Sequence, residues 1–112
     1  MTSEETLNRY SKQQVRHKYP KASAALKEAL TEFLVENDLG CDAFFCSPNV
    51  WQTKEEYCGN ADLILAIDGS PLYAILNYGE WRSMEEQFVN ICSLHGYYYE
   101  FGCAWYLGFY KL

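Results

Sequence analysis

Long apolar runs are missing from this chain of 112 residues. None approaches the roughly 20 consecutive apolar positions of a membrane-spanning helix, so that class is excluded. Histidine is scarce, with only His17 and His95, which leaves few imidazole bases for nucleophilic catalysis. There is no C-x-x-C pair, no glycine-rich phosphate loop, no internal repeat and no low-complexity segment. The common redox, nucleotide-binding and solenoid signatures are therefore absent. The opening MTSEETLNRY is polar and carries acids, so no secretory leader is expected and the expected compartment is the cytoplasm. Positive charge is in deficit: nine Lys/Arg face fifteen Asp/Glu, a net charge of −6.

What the chain does have is apolar and aromatic bulk. Hydrophobic residues make up 49% and aromatics 17%, with ten Tyr. That composition and length fit one folded domain. The expectation is a single α+β domain over residues 1–112, with residues 1–20 a basic helical arm able to pack on it. Charge is uneven along the chain. Residues 1–30 hold six Lys/Arg and three acids, while residues 31–112 hold three Lys/Arg and twelve acids. A basic leading segment thus precedes a strongly acidic body, which repels nucleic acid and attracts basic partners.

Thr2-x-x-Glu5 has capping-box spacing ahead of a helix to about Lys18 that gathers Arg9, Lys12 and Arg16 on one side. Residues 21–38 show the clearest period: Ala22, Ala25, Leu26, Ala29, Leu30, Phe33 and Leu34 recur at three and four, and Gly40 follows as a left-handed cap. Residues 41–47 read as a short strand stopped by Pro48, and residues 49–61 as a loop with one helical turn. Residues 62–68 (DLILAID) read as a buried strand. Asp68-Gly69-Ser70-Pro71 reads as a turn, and residues 72–78 (LYAILNY) as the returning arm of a hairpin. Ser83-x-x-Glu86 opens a helix to about His95, closed by Gly96, with Met84, Phe88, Ile91 and Cys92 inward. The tail from Tyr97 is strand-like, and Gly102 marks a bulge or tight hairpin in it. The expected fold is two N-terminal helices, then an antiparallel sheet of four to five strands with one further helix, helices mainly on one face.

Five cysteines, Cys41, Cys46, Cys58, Cys92 and Cys103, are an odd number with no leader, so a disulfide framework is not expected. Cys92-x-x-His95 and Cys41-x4-Cys46 could together supply four zinc ligands. Buried Cys is the simpler reading, because Cys92 sits in an apolar stripe. Cys46, at a strand end, is the best-placed nucleophile, yet no base or oxyanion motif accompanies it. No catalytic residue, metal or cofactor is called for, and an enzyme is not the expectation.

The functional signal is acidic. Glu28, Glu32 and Glu36 stand at strict i, i+4 spacing, with no Lys or Arg three or four residues from any of them. Like charges there repel by about 0.2–0.5 kcal/mol per pair. Asp38 and Asp42 follow at the helix exit, against the macrodipole. Trp81 and the run Tyr97-Tyr98-Tyr99 add interface-type aromatics, with Tyr98 forced to the face opposite Tyr97 and Tyr99. The expected site is therefore Glu28, Glu32, Glu36, Asp38, Asp42, Trp81 and Tyr98, binding another protein by covering its basic surface. Immunity proteins and phage-encoded inhibitors of defence nucleases are of this physical type, an analogy of size and charge. A homodimer through the C-terminal aromatic strand is a further expectation. Two alternatives stand beside this. One is a nucleic-acid-binding regulator using Arg9, Lys12 and Arg16, although direct nucleic-acid binding is disfavoured by the acidic body. The other is a small-molecule-binding or cysteine-dependent enzyme.

Overall fold

A computed structural model of the chain describes residues 21–47 and 60–112. The expected N-terminal helix with Arg9, Lys12 and Arg16, the turn within 49–61, Trp51 and Cys58 lie outside the described residues.

The order is helix α1 (Lys21–Glu36), strand β1 (Phe44–Cys46), strand β2 (Leu63–Ala66), helix α2 (Pro71–Tyr78), helix α3 (Arg82–Leu94), strand β3 (Tyr97–Cys103) and strand β4 (Tyr106–Lys111). The α+β class and the antiparallel sheet are as expected. The four strands lie in the order β1-β2-β4-β3, and every neighbouring pair is antiparallel.

Residues 72–78 correct the sequence reading: they form a helix, not the second arm of a hairpin. The segment LYAILNY is apolar almost throughout, so its periodicity does not separate strand from helix. Its flanks do. Ser70 is the N-cap and accepts from the Leu72 N–H at 3.1 Å, Pro71 stands in the first turn, and Gly79 closes the helix at φ 64°. Ser, Pro and Gly at these places are helix boundaries rather than hairpin-turn residues. Leu72, Ile75 and Leu76 form the buried stripe.

Three other boundaries move. The α1 cap is not Gly40. Asp38 takes the left-handed conformation at φ 56°. Its N–H reaches the Val35 carbonyl at 3.2 Å, and the Leu39 N–H reaches Leu34 at 2.8 Å. This is the Schellman arrangement with Asp where Gly is usual. Helix α3 begins at Arg82 with Trp81 as N-cap, so Ser83-x-x-Glu86 is not a capping box. Glu86 faces Arg82 instead, at 3.6 Å. The strand expected over 41–47 is only Phe44–Cys46, because Asp42 also turns left-handed, at φ 57°.

A left-handed non-glycine residue carries a cost of about 1–2 kcal/mol, less for Asp, whose side chain bonds locally. An acid at a helix C-terminus adds about 0.3–1 kcal/mol when exposed. Asp38→Gly is thus expected to raise stability by about 1 kcal/mol, seen as a melting temperature higher by about 4–5 °C. An unchanged or lowered midpoint would remove the strain argument at this exit.

Alternation along the strands builds two clusters. Phe45, Leu63, Leu65, Leu107, Phe109 and Tyr97 point to one face and pack with Leu26, Leu30, Phe33 and Leu34 of α1, Leu72, Ile75 and Leu76 of α2, and Met84, Phe88 and Cys92 of α3. All three described helices join this one core. Cys46, Ile64, Ala66 and Tyr106 point to the other face, with Phe44, Cys103, Trp105 and Tyr110 beside them. Ala25, expected in the α1 stripe, is exposed. Gly102 sits where the β3–β4 register shifts between Phe101 and Cys103, which makes it a bulge.

Candidate functional site

Helix α1 presents Glu28, Glu32 and Glu36 to solvent. At 1.5 Å per residue they repeat about every 6 Å along the axis. Among the described residues none of the three is in an ion pair. The last turn of α1 contains no basic residue. Lys27, the nearest cation in sequence, is half-buried, and that burial pulls its ammonium pKa below the ordinary value. Its neighbour Thr31 turns its hydroxyl back onto the Lys27 carbonyl at 2.7 Å.

The ridge continues past the helix. Asp38 and Asp42 are both exposed. Asp42 packs against the next turn so closely that a Cβ on Gly69 would stand 3.1 Å from the Asp42 Cβ. This contact brings the exposed Asp68 into the same neighbourhood. In the sequence Asp68 reads as a turn former, and nothing local signals its approach to Asp42. The shared field is visible in Cys41, whose thiol is pushed up chiefly by the Asp42 carboxylate, with Asp38 adding to it. That thiol is held protonated and is a poor nucleophile.

Two further exposed aromatics border α3. Trp81, 50% exposed, stands at the N-cap of α3, and Tyr98, 41% exposed, lies on β3 beside Val89 and Ser93 of that helix. Tyr98 stacks on Tyr110 at 5.6 Å and 27°. Beside Trp81, the exposed Tyr78 leans on Tyr73 at 6.2 Å. A strand reading of residues 72–78 does not reveal this exposure of Tyr78, which follows from the helix.

The cysteine and histidine alternatives look different once placed. Cys92 is buried in the core, and burial pushes its thiol up to about 12, far from a reactive thiolate. Cys46 is buried as well. His95 caps α3 through its backbone N–H, which reaches the Cys92 carbonyl at 3.1 Å. Among the described residues no three His, Cys, Asp or Glu side chains come together as a metal site.

A part-buried polar network links α1 to β2. The Tyr97 hydroxyl donates to Asp62 Oδ2 at 2.8 Å. Burial, then Asp62, pushes the Tyr97 phenol up to about 12, while a hydrogen bond from Ser23 acts the other way. Ser23 is fully buried on α1, so this Ser–Tyr–Asp chain ties α1 to the start of β2 and offers no exposed nucleophile. No described helix is long and apolar enough to cross a membrane.

Compared with known protein families, curated proteins and solved structures, the chain has no match.

Proposed function

We propose that this protein acts by binding another protein, covering a basic surface of that partner with the acidic ridge of α1 and its exit. The observation that carries this reading is the state of the carboxylates. Glu28, Glu32 and Glu36 are exposed and, among the described residues, without a counter-ion. Asp38 and Asp42 then hold strained left-handed backbone at the same end. Stability favours Lys along the last turn and Gly at the cap. The chain carries acids at each place, which creates a negative potential that steers a cationic partner at long range. A repeat of about 6 Å is close to that of backbone phosphates, so a nucleic-acid-binding protein is the partner class it fits. Asp68 extends the surface.

The test is charge reversal. The immobilised protein should capture a basic partner from lysate of its own source at low salt and release it at high salt. The variant Glu28→Lys/Glu32→Lys/Glu36→Lys should keep its helical spectrum and melting temperature and lose that capture. Equal capture by the variant would defeat the ridge as the binding surface.

A further inference from the structure

The sheet carries an unfinished edge among the described residues. Among the described residues β3 is the outermost strand on its side. Its bonding pattern can be read from its neighbours. The Leu112 N–H donates to the Gly96 carbonyl at 2.9 Å, and the Ile67 N–H to the Trp105 carbonyl at 2.8 Å. In an antiparallel ladder such bonds recur at every second residue. Odd positions of β4 therefore bond towards β2 and even ones towards β3. Through the pairs Tyr98↔Tyr110 and Glu100↔Gly108, Tyr98 and Glu100 spend their backbone groups on β4. Tyr97, Tyr99 and Phe101 aim their N–H and C=O groups outward. Strand edges are ordinarily blunted by Lys, Pro or bulges; β3 contains neither Lys nor Pro, and its bulge, at Gly102, lies beyond the Tyr97–Phe101 stretch.

The same edge gathers exposed apolar side chains. Phe101 and Val89 are each 40% exposed, and Tyr98 is 41% exposed. Between α3 and β3 lies a cleft of about 170 Å³ lined by Val89, Cys92 and Tyr97 among others. Phe101 lies on the same face of β3 as Tyr97, at the far end of the strand.

We infer that β3 pairs with β3 of a second copy of this chain, antiparallel about a two-fold axis at Tyr99, joining two sheets into one. Three features select this occupant and register. Centring on Tyr99 pairs every outward backbone group of Tyr97, Tyr99 and Phe101 with the other copy, whereas centring on Tyr98 or Glu100 leaves one of those residues unpaired. It sets Phe101 of each copy opposite Tyr97 of the other, so the exposed ring meets the mouth of the cleft. It also sets Glu100, the one charged residue of β3, opposite the Tyr98 phenol. A register centred on Glu100 would oppose two carboxylates, which is unfavourable across strands. One chain thus supplies knob, hole and charge match together. Strand β4, last in the chain, is interior, so the aromatic strand available for pairing is β3.

The experiment combines mass with cross-linking. Sedimentation of the wild type should give about twice the 13.0 kDa chain mass. Phe101→Lys should return it to the chain mass with an unchanged circular-dichroism spectrum. Opposed non-hydrogen-bonded residues have Cα atoms about 4.5 Å apart, within disulfide reach. On mild oxidation Tyr98→Cys/Glu100→Cys should therefore cross-link, while Tyr98→Cys, Glu100→Cys and the wild type with its exposed Cys41 should not. Added salt should strengthen association of two chains of charge −6, the opposite of its effect on partner capture by the ridge. A chain-mass species at all concentrations overturns the inference. So does a dimer that survives Phe101→Lys, or efficient cross-linking by a single cysteine variant. Protection of β3 amides from exchange only when a foreign extended peptide is added would also overturn it. None of these outcomes bears on capture by the ridge.

Discussion

Gly102→Ala is expected to destabilise the fold by about 3 kcal/mol, the upper end of typical overpacking costs. A Cβ at this position would stand 2.0 Å from Cε2, 2.4 Å from Cζ and 2.7 Å from the hydroxyl oxygen of Tyr106. That ring is fully buried against Cys46, Ile64 and Ala66. It cannot swing away into solvent, so either the ring or the bulged strand must move. For a domain of this size the melting temperature should fall by about 12 °C. Shortening the obstacle should recover much of the loss: in the Gly102→Ala background, Tyr106→Leu should cost less than it does alone. A double-mutant cycle with no coupling between the two sites would show that the glycine is not there to accommodate the ring.

Ser70→Ala is the second large effect, expected at about 2–4 kcal/mol. The Ser70 hydroxyl works in two directions. It accepts from the Leu72 N–H at 3.1 Å to cap α2, and it donates to the Leu39 carbonyl at 2.5 Å, just beyond the end of α1. The residue is buried. Losing an N-cap typically costs about 1 kcal/mol. Stranding a buried carbonyl adds about 1–3 kcal/mol. Ser70→Asp discriminates between the two roles. Aspartate is an excellent N-cap, but its carboxylate only accepts, so it would face the Leu39 oxygen without a proton to share. Denaturant midpoints should therefore show no rescue by Asp. Recovery to wild-type stability with Asp would mean that capping alone matters at this position.

These two residues mark where local reading stops. In the sequence both read as punctuation. Gly102 was expected to be a bulge or hairpin, and it is a bulge; that it must be glycine follows from a ring four residues on whose direction is set by the opposite sheet face. Ser70 was assigned to a turn between two strands. Its partner, Leu39, is 31 residues away, and no periodic pattern carries information over that distance.

The candidate site divides in the same way. Helical spacing placed Glu28, Glu32 and Glu36 on one stripe, and the structure keeps them there, exposed. Asp68 joined their exit through the packing of Asp42 on Gly69. Trp81 came to stand at the start of α3 and Tyr98 on β3, because chemistry typical of interfaces says nothing about position.

By itself the sequence determined the charge imbalance, the α+β class, helices α1 and α3, and the inward and outward alternation of Tyr97, Tyr98 and Tyr99. All of these are set by composition or by the 3.6- and 2-residue periods of neighbouring residues. The helix over residues 71–78 is bounded by local signals, Ser70, Pro71 and Gly79, whereas tertiary structure alone decided that Asp38 rather than Gly40 ends α1. It also decided that β4 is enclosed while β3 is left at the edge. Which residue ends a helix and which strand is left at an edge depend on long-range partners, and those partners are assembled only in the folded chain.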